Sequence, residues 1–431
     1  MSEQPDFSIR IDQNKYLPQG GQEVHAVITV ESTGAPVAAG TGAGTSAAEV
    51  IIIDTSGSMD YPRNKMISAI KAAQAAVDTL RDGVNFAIVS GSSRATMVYP
   101  RAEELIPANA QTRAEAKDAL SRLKATGGTA MGAWLTLAGR LFAGHPDGIR
   151  HAILLTDGKN QHESPEQLDA AVAQAVGRFV CDCRGVGTDW EVAELRKVAS
   201  ALLGSLDMVA SPEALEADFR AMTEAAMGKA VADVALRVWT PQYAKLRFVK
   251  QVLPSVEDLT GRRADVDERS GDYPLGAWGS ESRDYHVCVE VPAGEVGREM
   301  RAAWIKLMLG DQVVASGNVL AEWTDDEAQS TRINPKVAHY TGQAELAENI
   351  QAGLQARKDG DLDTATARLG RAVALAHQSG NEAIASLLGK VVDVDDPATG
   401  RVRIRKDVDK ADEMSLDTRS TKTVRTRRSE G

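Results

Sequence analysis

Three separate segments carry side chains that could together bind a metal ion. Asp54, Ser56 and Ser58 follow one apolar run, Asp157 follows another, and Thr129 lies in a Thr-Gly-Gly-Thr loop between the two runs. These residues offer only carboxylate and hydroxyl oxygens, with no His or Cys in the pattern. Hard cations prefer oxygen ligands. The pattern therefore predicts a site for Mg²⁺ first, with Mn²⁺ or Ca²⁺ as alternatives.

The chain around these residues alternates between strand and helix patterns. Residues 50–53 and 152–155 are continuous apolar runs, which are typical of parallel strands buried on both faces. Residues 64–80 have apolar positions at helical spacing, and further strand and helix patterns follow. We expect residues 48–228 to form a doubly wound, mainly parallel α/β domain. Ligands bind such sheets at the carboxyl ends of the strands, where both aspartates lie.

The chain on either side of this domain has strand patterns of another kind. Apolar and polar residues alternate in parts of residues 1–32 and 230–325, as in antiparallel strands with one buried face. Because two strands alone cannot bury a core, we expect both stretches to join in one β-sandwich, with the α/β domain inserted between them. Residues 33–47, rich in Gly, Ala, Ser and Thr, are predicted to be a flexible linker.

The C-terminal part is predicted to be helical and then disordered. Apolar residues at helical spacing predict a helical hairpin or small bundle over residues 335–392. Residues 393–431 are charged and nearly free of aromatic side chains, which predicts a disordered, basic tail rich in Thr and Arg. A solvated charged tail is the simpler interpretation. The more specific interpretation is that a Ser/Thr kinase that prefers basic sequences phosphorylates the tail at Thr421, Thr423 or Thr426.

Composition and charge narrow the classes of function. The chain has 431 residues, with 49 Lys and Arg against 60 Asp and Glu, and its net charge of −11 argues against nucleic acid as the main partner. No apolar run approaches the roughly 20 residues of a transmembrane helix, and the polar N-terminus lacks a secretory signal pattern. Three cysteines fit a reducing compartment. We expect a cytoplasmic protein with no membrane or nucleic-acid partner.

Sequence patterns of common enzyme classes are missing. The chain contains neither His-Glu-x-x-His nor Gly-x-Ser-x-Gly. The Asp54-x-Ser56 pattern lacks the second Asp of the haloacid-dehalogenase phosphatases. His151 and the nearby pair Cys181 and Cys183 lie in strand patterns, and we interpret them as structural rather than catalytic, metal-binding or redox-active. We therefore expect the protein not to be an enzyme.

Residues 48–228 resemble a von Willebrand factor type A domain with a metal-ion-dependent adhesion site. The resemblance rests on an Asp-x-Ser-x-Ser motif, one threonine and a second aspartate, on three separated segments that each lie in the expected context. It implies that the serines and the threonine bind the metal and that the aspartates bind it directly or through water. The implied site is Asp54, Ser56, Ser58, Thr129 and Asp157. The structural alternative is that the two aspartates only cap helices and turns.

The resemblance also implies a function, that of a metal-dependent protein–protein interaction scaffold. Because hydroxyls are neutral ligands, the cation keeps positive charge and can take its last ligand from a carboxylate of a partner protein. The whole layout resembles cytoplasmic actinobacterial proteins that accompany Ser/Thr kinases and forkhead-associated domain proteins, which implies a signalling assembly. The alternative is an accessory subunit of an AAA+ ATPase, as in magnesium-chelatase-like machines.

Overall fold

The computed structural model describes residues 5–33, 46–62, 64–146, 148–209 and 211–425. Contacts divide them into two compact units. The α/β unit contains residues 46–232 and 277–279, and the second unit contains residues 5–33, 233–276 and 280–425. None of the helices in these described ranges is both long enough and apolar enough to cross a bilayer.

The chain begins with strands of the second unit and then enters the α/β unit. The first strands are β1 (Asp6–Gln13), β2 (Tyr16–Pro18) and β3 (Glu23–Thr33). The predicted linker, residues 33–47, falls almost wholly outside the described residues, which resume at Ser46. The elements of the α/β unit follow in this order: β4 (Ala47–Asp54), α1 (Asn64–Thr79), β5 (Asn85–Gly91), β6 (Ala95–Tyr99), β7 (Ile106–Pro107), α2 (Ala110–Leu120), α3 (Met131–Phe142), β8 (Ile149–Thr156), α4 (Pro165–Ala175), β9 (Val180–Val186), α5 (Val192–Ala201), β10 (Leu206–Val209) and α6 (Leu215–Met227).

One sheet forms the centre of the α/β unit, with strand order β10-β9-β8-β4-β5-β6 and β7 paired to β5. The five strands from β10 to β5 are parallel, and β6 and β7 run antiparallel to β5. Residues Ile51, Ile52 and Ile53 of β4 are fully buried, because helices cover both faces of a parallel sheet. The predicted doubly wound, mainly parallel fold is confirmed.

The point where the strand order reverses lies at β4. From β4 the chain adds β5 on one side and later places β8 on the other side. The crossover helices then leave on opposite faces, and a crevice opens between the carboxyl ends of β4 and β8. Asp54 is the last residue of β4, and Asp157 directly follows β8. The topology therefore brings the two aspartates to the same crevice.

Two sheets built from both flanks form the sandwich. The strands after the α/β unit are β11 (Val231–Trp239), β12 (Lys245–Leu253), β13 (Glu257–Asp258), β14 (Ala264–Asp265), β15 (Ser270–Trp278), β16 (Glu281–Glu290), β17 (Glu299–Leu309) and β18 (Gln312–Thr324). The first sheet has the order β1-β3-β16-β12-β13 and the second β14-β15-β11-β17-β18-β2. Ile9 and Ile11 of the first sheet pack closely against Gly317 of the second. The N-terminal strands β3 and β2 thus pair with β16 and β18, which lie beyond residue 230.

Helices and one small hairpin complete the second unit. They are α7 (Glu327–Ser330), α8 (Pro335–Lys358), α9 (Leu362–Ser379), α10 (Glu382–Val391), β19 (Val392–Asp396), β20 (Arg401–Ile404) and α11 (Lys410–Arg419). The prediction of disorder from residue 393 onward is therefore wrong for residues 393–425. The apolar residues of this stretch are few, but Val402 and Leu416 are buried against α8, α9 and α10. Ion pairs such as Arg405–Asp393 and Lys390–Asp412 balance its charges.

After α11 the chain continues as an ordered segment beside β12. The backbone N–H of Val256 donates to the carbonyl of Thr421 over 2.8 Å. The N–H of Thr423 donates to the carbonyl of Pro254 over 3.1 Å, and the Thr423 hydroxyl donates to the carbonyl of Val252 over 2.7 Å. Of the predicted phosphorylation sites, Thr421 and Thr423 therefore lie in hydrogen-bonded backbone. Thr426 lies outside the described residues.

Truncating Leu416 to alanine should destabilise the second unit if the tail belongs to its core. Leu416 is fully buried, and removing a buried leucine side chain costs about 2–5 kcal/mol. Denaturant unfolding of the full chain measures this change. Leu362→Ala is the matched control, because Leu362 is 56% exposed and should cost no more than about 0.5 kcal/mol. Equal stabilities of the two variants would contradict a packed tail.

Candidate metal centre

The segment that follows β4 turns sharply at its first residues. The Asp54 carboxylate accepts a hydrogen bond from the backbone N–H of Ser56 through Oδ1 over 2.7 Å. Such a side chain-to-backbone bond two residues ahead is an Asx turn, which Asp favours. A short 3₁₀ turn, Gly57–Asp60, follows and leads into α1. The turn brings Ser56 and Ser58 back over the end of β4.

Backbone hydrogen bonds fix the loop that carries Thr129 beside this turn. The N–H of Thr126 donates to the carbonyl of Thr55 over 2.6 Å, and the N–H of Gly57 donates to the carbonyl of Gly127 over 2.9 Å. Gly127 has a φ of +82°, in the left-handed region that favours glycine. The two segments, about 70 residues apart in sequence, therefore form one rigid edge of the crevice.

Side-chain hydrogen bonds connect the predicted ligands. The hydroxyls of Ser56 and Ser58 are 2.9 Å apart, and the Ser58 hydroxyl donates to Oδ1 of Asp157 over 2.6 Å. Oδ2 of Asp54 accepts a hydrogen bond from the hydroxyl of Thr156, the last residue of β8. Both aspartates are fully buried. The structure thus brings residues from the ends of β4 and β8 into one polar cluster.

Gly158 marks the point on which the oxygens converge. A Cβ atom at this glycine would lie 3.1 Å from Oγ1 of Thr129, 3.4 Å from Oγ of Ser58 and 3.8 Å from Oδ2 of Asp54. Because the glycine has no side chain, this space between the oxygens is free of carbon. All five predicted residues are thus within one cluster, and their donors are the carboxylates and hydroxyls that suit a hard cation. The residues fit a divalent metal ion.

The electrostatics of the cluster also favour a cation. The pKa of Asp54 is raised to about 6. Removal from water is the main cause, hydrogen bonds from Thr156 and Ser56 lower the pKa in part, and the nearby charge of Asp157 adds to the rise. Two buried carboxylates in one crevice repel each other and have lost their hydration. A positive charge between them would offset both costs.

Lys65 is a positive group at this site that sequence reasoning missed. Its Nζ lies 2.7 Å from Oδ2 of Asp157 and 3.7 Å from the exposed carboxylate of Asp189. The lysine is buried in the first turn of α1. Lys65 lies four and seven residues before the buried Ala69 and Ala72, so it is on the buried face of α1. This spacing is the sequence signal that could have identified Lys65 as a buried charge. Of the two oxygens of Asp157, Lys65 contacts Oδ2, and Oδ1 accepts the hydrogen bond from the Ser58 hydroxyl.

Residues after β8 hold the Thr129 loop and the start of α3, and these residues were also missed. The carbonyl of Thr129 accepts a hydrogen bond from the N–H of His162 over 2.9 Å. Oδ1 of Asn160 accepts from the N–H of Met131 over 2.9 Å, and Oε1 of Glu163 accepts from the N–H of Gly132 over 2.6 Å. Side-chain acceptors thus satisfy the first N–H groups of α3 and orient the threonine indirectly.

The other singled-out residues lie away from this crevice. Cys181 and Cys183 are free and buried, with their sulfurs 4.0 Å apart. His151 lies near the opposite end of β8, between the buried carboxylate of Glu49 and the partly exposed carboxylate of Asp182. Both observations agree with the structural roles predicted for these residues.

Substituting Gly158 by alanine should weaken metal binding without disturbing the fold. The new methyl group would occupy the space between Thr129 and Ser58, at 3.1 and 3.4 Å from their hydroxyl oxygens. We expect Mg²⁺ affinity to fall about tenfold or more, as for other changes that displace ligands, when measured by calorimetry. Gly144→Ala is the control, because its Cβ would meet nothing within 4 Å. Equal affinity in both variants would contradict this location of the site.

A doubly wound sheet with an oxygen-rich cluster at its switch point is the architecture of a von Willebrand factor type A domain. The sequence model of the von Willebrand factor type A domain matches residues 48–208, and that of the von Willebrand factor type A C-terminal domain matches residues 374–420. A solved structure of a von Willebrand factor type A protein from Catenulispora acidiphila is 52% identical, covers 99% of each chain and superimposes with a TM-score of 0.93. The chain belongs to the von Willebrand factor type A family.

More distant relatives share the fold or part of the sequence. The structure of the ArnB paralog VWA2 from Sulfolobus acidocaldarius covers 96% of this chain and 98% of its own, with a TM-score of 0.59 and 15% identity. An uncharacterised Synechocystis protein is 29% identical over 231 residues, which are 52% of this chain and 53% of that protein. The chain therefore spans about half the length of this curated relative. Domains of this family generally mediate metal-dependent protein interactions and are typically interaction modules rather than enzymes.

Proposed function

We propose that the chain is a metal-dependent interaction scaffold, whose α/β unit holds Mg²⁺ and captures an acidic residue of a partner protein. The observation that carries the proposal is the convergence of three oxygens on the free space beside Gly158. The residues that would hold the ion are Asp54, Ser56, Ser58, Thr129 and Asp157. Oxygen-only donors favour Mg²⁺ over softer metals, with Mn²⁺ and Ca²⁺ as alternatives.

The charges at the site explain why the partner should be acidic. Two carboxylates, those of Asp54 and Asp157, face a divalent ion and the buried ammonium of Lys65. The buried groups and the ion together keep a net positive charge, since the serine and threonine ligands are neutral. An external carboxylate is the group that completes both the charge and the coordination. A lysine so close to the ligands makes an anionic partner group more favourable than water.

We further propose that the chain acts in a cytoplasmic signalling assembly with a Ser/Thr kinase and a forkhead-associated domain protein. The support is the Thr- and Arg-rich end of the chain, in which Thr421 and Thr423 lie beside the sandwich and Thr426 lies close to the C-terminus. A phosphate on this segment would add charge of about −1.5 to −2 and offer oxygens to an Arg-lined pocket. The carboxylate-capturing site and the tail would then engage separate partners.

Affinity capture with and without a chelator tests the main proposal. The full chain is immobilised and incubated with lysate in Mg²⁺, and the bound proteins are identified by mass spectrometry. A partner that is released by chelator and is not captured by Gly158→Ala supports the proposal. Capture that is the same in chelator overturns it. Recovery of an AAA+ ATPase whose turnover this chain alters would instead favour an accessory-subunit role.

Phosphorylation of the tail is tested on the full chain and on a peptide of residues 415–431. We expect a basophilic Ser/Thr kinase to modify threonine in both. Modification of Thr423 should be slower in the full chain, because its hydroxyl donates to the carbonyl of Val252 over 2.7 Å. Phosphopeptide mapping over time measures the difference. No phosphate on threonine in either substrate would exclude the kinase part of the proposal.

A further inference from the structure

A second cluster of metal-binding side chains lies on the first sheet of the sandwich. Glu23, His25 and Cys288 each present one ligand atom, and these atoms all lie within 4.8 Å of one another. His25 of β3 is directly opposite Cys288 of β16, and Glu23 precedes His25 by two residues on the same strand face. Strand pairing therefore fixes all three side chains on one patch of the sheet.

The distances within the cluster approach those around a tetrahedral ion. Sγ of Cys288 lies 3.8 Å from Nε2 of His25, and the same nitrogen lies 3.9 Å from Oε2 of Glu23. Ligand bonds of 2.0–2.3 Å at tetrahedral angles place neighbouring donor atoms about 3.3–3.8 Å apart. Glu23 is exposed, so its side chain can move to close the remaining difference.

A second histidine orients the first. Nδ1 of His25, the nitrogen turned away from Cys288, lies 3.1 Å from Nε2 of His286, which is buried. The Phe248 ring packs edge-on against the His286 ring, with centroids 5.0 Å apart, and fixes that ring in turn. Metal-binding histidines characteristically hydrogen-bond through their other ring nitrogen, which selects the tautomer and the ring orientation. His25 thus has its Nε2 directed to the cluster.

The donors differ in kind from those at the end of β4. A thiol, an imidazole and a carboxylate are the ligands of Zn²⁺ and similar borderline metals, whereas Mg²⁺ takes oxygen ligands. Cys288 is buried, His25 is half-buried and Glu23 is exposed, so the cluster opens to solvent on one side. We infer that Glu23, His25 and Cys288 form a Zn²⁺ site with a fourth position open to water or a ligand, and that His286 is its positioning residue.

Cobalt titration of the full chain tests this site. Co²⁺ bound to a thiolate gives a charge-transfer band in the near ultraviolet, which oxygen ligands do not produce. We expect the purified chain to give this band with one equivalent of Co²⁺ and to lose it when Zn²⁺ is added. Cys288→Ser should remove the band although Cys181 and Cys183 remain. His286→Phe should keep the band and weaken Co²⁺ binding about 10–100-fold, as the loss of a hydrogen bond to a metal-binding histidine does.

Controls separate this site from the proposed Mg²⁺ site. Glu23→Gln should weaken Co²⁺ binding at least tenfold, whereas Glu31→Gln, a change on the same strand and the same face, should not. Asp54→Ala should leave the band intact, and Cys288→Ser should leave Mg²⁺-dependent partner capture intact. The absence of a thiolate band in the unmodified chain overturns the inference, as does a band that persists in Cys288→Ser. Glu23 is exposed, so its variant remains informative if Cys288→Ser does not fold.

Discussion

Replacing Asp54 by alanine should abolish both divalent-cation binding and capture of the partner. Asp54 contributes one of the two carboxylates of the cluster, and its Oδ2 is among the oxygens that converge beside Gly158. Its Oδ1 also holds the turn that carries both serines, through the N–H of Ser56. The substitution therefore removes one ligand and loosens two others. Calorimetry with Mg²⁺ should detect no binding, and the capture experiment should recover no chelator-sensitive partner.

The same substitution should leave the fold intact. Two hydrogen-bond donors, the N–H of Ser56 and the hydroxyl of Thr156, lose their acceptor, which costs about 1–3 kcal/mol. This cost is offset in part, because a carboxylate that burial disfavours is also removed. Asp60→Ala is the matched control, since Asp60 is an exposed aspartate in the adjoining 3₁₀ turn. Partner capture by Asp54→Ala equal to that by the control would refute the metal-dependent mechanism.

Removing His151 should be among the most destabilising single changes in the α/β unit. Its Nδ1 lies 2.9 Å from both oxygens of Glu49, and its Nε2 lies 3.0 Å from Oδ2 of Asp182. Glu49 is fully buried. In His151→Leu this carboxylate keeps its place in the sheet but loses its counter-charge, and breaking a buried ion pair from one side costs about 3–5 kcal/mol. Denaturant unfolding gives the difference, with half-buried His145→Leu as the control.

The same cluster predicts how stability depends on pH. Although burial alone lowers the pKa of His151, the charges of Glu49 and Asp182 and their hydrogen bonds raise it to about 10, above the usual 6.5. A folded-state pKa above the unfolded value means that the contribution is complete below pH 6.5 and is lost as the pH rises towards 10. Burial also raises the pKa of Glu49 above its usual value. The stability that this carboxyl group contributes is therefore likewise lost as the pH rises.

Unfolding free energies measured between pH 6.5 and 10 should therefore fall for the unmodified chain. They should fall less for His151→Leu, which has lost the titrating group. Asp182 does not contribute in this range, because its pKa is held well below the usual value by His151, Arg184 and Ser205. Parallel curves for the two proteins would show that His151 is not protonated in the folded state.

The sequence predicted well those elements whose pattern lies within a short stretch of neighbouring residues. The apolar runs ending in Asp54 and Asp157 indicated buried parallel strands, and the switch-point rule placed both aspartates at one crevice. Lys65 was missed because its ion pair with Asp157 joins residues 92 positions apart. Glu23, His25 and Cys288 were missed for the same reason, since only the pairing of β3 with β16 brings them together.

The order of the tail was the main error at the level of the fold. Its composition resembles that of disordered segments, since charged residues dominate residues 393–425. An average composition does not show that a few apolar residues, placed at the right positions, pack into the core of the second unit. Val402 and Leu416 pack against the apolar surface that α8, α9 and α10 already form. Because that surface exists without the tail, a few apolar residues are enough to order the segment.

The discontinuous sandwich has a consequence for how the chain is made on the ribosome. β3 emerges early, yet its partner β16 follows 261 residues later, counted from His25 to His286. At about 5–20 residues per second, the first strands wait roughly 10–50 s with unpaired edges. The main sheet and the helices of the inserted unit are complete at Met227, the end of α6, and can fold while translation continues. We expect nascent chains that stall before residue 280 to carry a folded insert and exposed N-terminal strands, and hence to recruit chaperones.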